Sequence, residues 1–168
     1  MMCELVGIKK FKVLVVDRDS DTHEITELVL GKMRIDDSMI DLYHSYSESE
    51  TIKMLSEIKD FAMIIMDIDL ENENSGYKII EYVRNEMKDD SIYISVHTNN
   101  KDLTKASEEI NLASSGAVNN YMTKNRMDLT MMRMMVMVGI RHHSHVSRLI
   151  EKYRKMKEVT GSNGVGLS

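Results

Sequence analysis

Four polar residues stand directly after short apolar runs: Asp17 after FKVLVV, Asp67 after FAMIIM, Thr98 after IYISVH and Lys124 after AVNNYMT. Two carboxylates held close together attract a divalent cation, because hard Mg2+ prefers oxygen ligands and keeps several waters. Such a cation screens their repulsion and clamps an incoming phosphoryl oxygen. A lysine ammonium balances the charge that remains, and a threonine hydroxyl can bond the same group. Together these residue types describe a site for phosphoryl transfer to an aspartate. Singly, each has a plainer reading. A strand-end Asp is a good helix cap, and a lone Thr or Lys is ordinary surface. The argument rests on all four ending the right elements in the right order.

Phe11–Asp17 and Phe61–Asp67 read as strands buried on both faces, the kind found in parallel sheets. Met39–Ser45, Ile92–Val96 and Ala117–Met122 bring the expected strands to five. Asp19, Ser20 and Asp21 offer caps for a helix whose apolar residues Ile25, Leu28 and Val29 lead to Gly31. Ser47 and Glu50 form a capping-box pattern for a helix through about Ile58. Tyr77–Met87 and Leu103–Leu112 read as further helices, and a helical pattern runs from about Met127 to Glu158. A strand followed by a helix, five times over, predicts an α/β fold. Its core is a doubly wound five-stranded parallel sheet, with an extended C-terminal helix. The expected organisation is an N-terminal extension over 1–10, one domain over 11–140, and a helix extension with a flexible tail (GSNGVGLS) over 141–168. In such sheets the functional crevice lies beyond the carboxyl ends of the strands, where the four residues would meet.

The stretches VLVVDRD (13–19), MIIMDIDL (63–70), SVHTN (95–99) and NYMTKN (120–125) resemble the receiver domains of two-component response regulators, the CheY-like, flavodoxin-like family. The resemblance covers about Phe11 to Arg141. It implies that Asp67 is the phosphoacceptor, that Asp17 belongs to the acidic pair, and that the backbone carbonyl of Asp69 completes a Mg2+ site. It also implies that Thr98 is the switch hydroxyl, Lys124 the phosphoryl-binding lysine and Tyr121 the switch aromatic. An ordinary strand aromatic is the alternative for Tyr121. The implied partner is a sensor histidine kinase or a phosphotransfer protein, and the implied role is a phosphorylation switch. At most, such a protein assists its own phosphorylation and dephosphorylation. The acidic loop after Asp67 and the long segment between the first two strands resemble receivers that precede cyclic-dinucleotide phosphodiesterase outputs.

Two positions depart from the family pattern. Arg18 stands where the acidic pair has its second carboxylate, normally a direct metal ligand. Three arrangements are open. Asp19 can rotate in and restore the site, Arg18 can pair with Asp67 and take the metal's place, or Arg18 can point to solvent and only weaken Mg2+ affinity. Weakened affinity with a recognisable site is the expectation taken here. The rival from another class is a pseudo-receiver, an interaction or dimerisation module that works without phosphorylation. A phosphatase with an aspartate nucleophile is a third reading, with Asp69 as its second acid. The other departure is Lys124-Asn125 in place of Lys-Pro. Without proline a cis bond there costs about 2.5–4 kcal/mol, so trans is expected.

The helix after Met127 carries a heptad-like seam of Met132, Met135, Gly139, His142, Val146, Leu149, Tyr153 and Met156. It predicts either pairing with a second copy, as a homodimer through the last helices, or a first half packed on the sheet and a solvated remainder. His142, His143 and His145 are too few for a four-ligand structural zinc site. Arg148, Lys152, Arg154, Lys155 and Lys157 make this end basic, which reads as a charged helix surface. The formal charge of −5 argues against bulk nucleic-acid binding. The chain has one cysteine, Cys3, and no signal-like or membrane-spanning run, which together suit the cytoplasm. The 16 methionines read as core filler. With no output module recognisable after the tail, the expectation is a stand-alone receiver or the front of a longer protein.

Overall fold

The computed structural model describes residues 9–72, 74–98, 115–124 and 127–162, with side chains as far as 158. The expected Leu103–Leu112 helix, Cys3, Asn99, the Lys124-Asn125 bond and most of the tail lie outside them. The described strands are β1 (Lys10–Val16), β2 (Arg34–Ile35), β3 (Ser38–Ser45), β4 (Phe61–Asp67), β5 (Tyr93–Thr98) and β6 (Asn120–Thr123). The described α-helices are α1 (Ser20–Leu30), α2 (Glu48–Glu57), α3 (Ser75–Glu81) and α4 (Leu129–Ser162). A π-helical turn, Tyr82–Glu86, prolongs α3. The sheet order is β2-β3-β1-β4-β5-β6. All neighbours are parallel except β2 and β3. With the β2 edge set aside this is the doubly wound order, in which the chain reverses direction across the sheet beside β1.

The expected count of five strands is corrected to six. Asp36 and Asp37 both adopt positive φ, 47° and 64°, and join β2 to β3 as a two-residue hairpin. Positive φ at both central positions is the requirement of a type I′ turn, which Asp tolerates better than most residues. The preceding strand is only two residues long, too short to show a period of two, so the sequence did not display it.

The strands bury what their composition requires. Val13, Leu14, Val16, Met63, Ile64, Ile94 and Val96 are all completely inaccessible to solvent. Leu55, Ile79, Ile80 and Val83 cover one face of the sheet, and Leu30, Val136 and Ile140 cover the other. Helix α4 docks closely because position 139 has no side chain: a Cβ there would sit 2.8 Å from Met63 Sδ and 2.9 Å from Tyr93 Cδ1. Arg84 fastens the far end of the sheet. Its guanidinium donates to the carbonyls of Ala117, Asp89 and Ile92 and to Asn119 Oδ1. Burial draws its pKa down, and Asp90 and Asp89 oppose that. No described helix is long and apolar enough to cross a membrane.

A buried polar network ties α4 to the strands. Ser95 Oγ lies 2.9 Å from His97 Nε2 and 3.0 Å from Met135 Sδ, and it accepts from Asn120 Nδ2 at 2.8 Å. Burial, reinforced by Lys124 and opposed by Asp17, lowers the His97 pKa from 6.5 to about 4. The fold therefore favours neutral His97, while the unfolded chain takes up its proton at higher pH. The stability this contributes is complete above about pH 6.5 and is lost as pH falls toward about 4. Its size is on the order of 3 kcal/mol. Urea midpoints measured from pH 7 down to 5 should fall in the native chain and stay nearly flat in His97→Gln. Equal slopes would show that another group sets the acid limit.

Candidate functional site

The carboxyl ends of β1 and β4 bring two aspartates together. Val16 is paired with Met66 in parallel register, so Asp17 and Asp67 follow side by side. Each is held the same way. Asp17 Oδ1 accepts the N–H of Asp19 at 2.9 Å, and Asp67 Oδ1 accepts the N–H of Asp69 at 2.9 Å. These Asx-type bonds leave both Oδ2 atoms facing inward. Lys124, directly after β6, places its Nζ 2.6 Å from Asp17 Oδ2 and 2.6 Å from Asp67 Oδ2. Both carboxylate side chains are largely shielded from solvent, at 5% and 12% exposure. Burial alone would lower the Lys124 pKa, but the hydrogen bonds and charges of Asp17 and Asp67 outweigh it and raise the value.

Thr98, fully buried at the end of β5, donates its hydroxyl to Asp69 Oδ2 at 3.0 Å. Tyr121 lies on β6 opposite Val96, partly buried against the hydrophobic core. The structure thus gathers Asp17, Asp67 and Lys124 into one ion-paired cluster, with Thr98 joined to the Asp69 side chain beside it. Asp19 is engaged elsewhere: it is exposed and caps α1, accepting from Asp21 N at 3.0 Å. Arg18 is exposed and makes no ion pair among the described residues. Its side chain faces solvent. Lys124, not Arg18, is the cation on Asp67.

Sequence reasoning missed the support beneath Asp17. His23, buried on α1, donates from Nε2 to the Asp17 carbonyl at 2.9 Å. Its Nδ1 lies 2.8 Å from His44 Nδ1, so the two rings share one hydrogen bond. Glu27 Oε2 stands 3.3 Å from the other His44 nitrogen. A histidine in an amphipathic helix gives no sign that it reaches a strand end. The histidines on α4 diverge: His142 packs edge-on against Tyr93, His143 donates to Ser91 O at 3.0 Å, and His145 is exposed.

Both Oδ2 atoms reach one ammonium at 2.6 Å, so they lie at most 5.2 Å apart, twice that distance. Two oxygens on Mg2+ span up to about 4.2 Å, a difference that side-chain rotation covers. Among the described residues no group of three or more His, Cys, Asp or Glu side chains is placed to hold a metal. A Mg2+ ion would therefore rest on two carboxylates, a backbone carbonyl and water, which suits an ion that keeps several waters. The residues fit the ion with few protein ligands.

No family model matches the chain. Over 86 residues, 51% of its length, it is 29% identical to 3'3'-cGAMP-specific phosphodiesterase 2 of Vibrio cholerae. The match spans only 16% of that relative. Solved structures with the same architecture include adenylate cyclase from Rhodopirellula baltica, with a TM-score of 0.70 and 20% identity over 87% of this chain and 98% of that one. The receiver domain of an HD domain-containing protein from Pseudomonas fluorescens gives 0.67 and 14% identity over 87% and 98%. A response regulator receiver protein from Pseudomonas putida gives 0.59 and 24% identity over 78% and 98%. The chain has the fold of the response-regulator receiver domains.

Proposed function

We propose that this chain is a phosphoacceptor switch that takes a phosphoryl group onto Asp67 from a phosphohistidine of a sensor kinase or phosphotransfer protein. The observation that carries this reading is the single ammonium of Lys124 shared between Asp17 and Asp67 at 2.6 Å each. The pair lies at the strand ends where a receiver fold places its site. A carboxylate oxygen of Asp67 attacks phosphorus, the P–N bond breaks, and the donor imidazole leaves with its electron pair. Lys124 turns from the carboxylates to a phosphoryl oxygen and balances its charge. Thr98 exchanges its bond to Asp69 for a phosphoryl oxygen, and Tyr121 follows into the space this opens. The result is a population shift of the β6–α4 face between two states.

Asp17, Asp67 and the backbone carbonyl of Asp69 would hold Mg2+, and Asp19 stays with its helix. The ion supplies neutralisation of the carboxylates and a grip on the phosphoryl oxygens. The exposed guanidinium of Arg18, in place of an acid, weakens that affinity without occupying the pocket. The Vibrio cholerae relative supports a cyclic-dinucleotide phosphodiesterase as the kind of output such a receiver would govern.

Arg18 also supports the second reading, a pseudo-receiver that keeps the fold and binds partners without phosphorylation. Incubation with Mg2+ and acetyl phosphate, read by intact mass, separates the two. A phosphoryl adduct that disappears in Asp67→Asn is expected, and no adduct at millimolar Mg2+ with the fold intact would establish the pseudo-receiver. Arg18→Asp should bind Mg2+ about tenfold more tightly than the native chain, in a titration followed by NMR shifts of the Asp17 and Asp67 amides. Equal affinities would remove Arg18 from the account.

A further inference from the structure

His23 on α1 and His44 on β3 face each other, and the use of their four ring nitrogens sets them apart from the other histidines. One nitrogen of each ring is bound outward. His23 Nε2 donates to the main-chain carbonyl of Asp17 at 2.9 Å, and His44 Nε2 stands 3.3 Å from Glu27 Oε2. The other two, both Nδ1, converge at 2.8 Å. A carbonyl and a carboxylate only accept, so each outward contact needs an N–H, and the contact between the Nδ1 atoms needs a third proton. Two neutral imidazoles carry two N–H groups between them. The pair is therefore one positive charge short of satisfying its contacts, and the shortfall falls between the two Nδ1 atoms.

We infer that this point binds a divalent transition-metal ion of the Zn2+ class, held by His23 Nδ1 and His44 Nδ1. A ligating histidine is oriented, and its tautomer fixed, by an acceptor on its far nitrogen, which is commonly a carboxylate or a main-chain carbonyl. His44 has the first kind in Glu27, and His23 has the second in Asp17. Imidazole nitrogen suits zinc, nickel and copper, whereas Mg2+ takes oxygen, so this site and the aspartate pocket select different ions. At Zn–N distances of about 2.0–2.1 Å and a tetrahedral angle, two ligating nitrogens lie about 3.3 Å apart. From 2.8 Å the rings must open by about 0.5 Å, and the His44 side chain, 28% exposed at the surface, has room to turn. Both rings line an open cleft of about 660 Å³, where Glu24 and Glu27 outnumber Lys32, so its charge favours a cation. Among the described residues no group of three or more His, Cys, Asp or Glu is placed to hold a metal. Water from the cleft would complete the coordination, which makes the ion exchangeable rather than structural. His142, His143 and His145 share no such convergence, since each points to different surroundings. Once bound, the ion would clamp α1 to β3 behind Asp17. The inference is independent of phosphorylation at Asp67.

Calorimetric titration of the full chain with Zn2+ is the test, in a Cys3→Ser background and in millimolar Mg2+, which competes for the aspartate pocket. One ion per chain is expected, with a dissociation constant below about 100 μM. Glu27→Ala should weaken binding about tenfold by freeing the far nitrogen of His44, and His44→Gln should weaken it at least as much. Both substituted side chains reach the surface, and circular dichroism checks that the variants fold. Nitrogen-15 spectra of the imidazoles should show the Nδ1 signals of His23 and His44 moving together as the ion binds, while those of His143 and His145 stay in place. Saturation only above about a millimolar, an affinity unchanged in His44→Gln or in Glu27→Ala, or shifts confined to the α4 histidines would each overturn the inference.

Discussion

Two carboxylates and one ammonium in a largely dry pocket set the terms for the rest of the molecule. Parallel pairing of β1 with β4 places Asp17 and Asp67 side by side whether or not a cation is present. Two such charges at most 5.2 Å apart repel by about 3 kcal/mol or more at an effective dielectric constant of 20. Lys124 removes that repulsion, and it comes from a residue 57 positions beyond Asp67. Sheet closure through β5 and β6 and neutralisation of the site are therefore one event. The Asx-type bonds from Asp19 and Asp69 then fix which oxygen of each carboxylate faces the cation.

Around this centre the supports differ in kind. Asp17 is held from below by His23, which joins α1 to the strand end through a main-chain carbonyl. Thr98 is held by Asp69, so the hydroxyl that would sense a ligand starts from a made hydrogen bond. A ligand must offer an acceptor at least as good, and a phosphoryl oxygen with formal charge meets that condition. Behind Thr98, the network of His97, Ser95 and Met135 connects the same strand to α4.

How much of this could be read in the sequence depended on whether a feature repeats locally. Doubly buried strands such as Phe61–Asp67 announce themselves by continuous apolar residues, and their last residue is legible as a strand-end group. The convergence of Asp17, Asp67 and Lys124 followed from chain order alone. The β2–β3 hairpin did not, because a two-residue strand has no periodicity and Asp36-Asp37 is a weaker turn signal than Asn-Gly. The path taken by Arg18 was also undetermined, since a flexible exposed side chain is placed by its surroundings. The seam on α4 was read as a single heptad-like run. That run mixed residues packed on the sheet, Met135 and Gly139, with exposed ones such as Leu149, Tyr153 and Met156.

Arg84 has a consequence for how motion can spread. Its guanidinium spans the end of the π-helical turn, the entry to β5 and the loop before β6, and bonds three main-chain carbonyls. Cutting any one segment loose would leave a half-buried cation with unmet donors, which is costly. The edge of the sheet remote from the acidic pocket therefore behaves as a fixed frame. Displacements begun at Thr98 or Lys124 have no compliant route in that direction. Were such a displacement to arise, it would be taken up at the β6 edge and the body-facing side of α4, so the rigidity of one pole would decide which pole can speak.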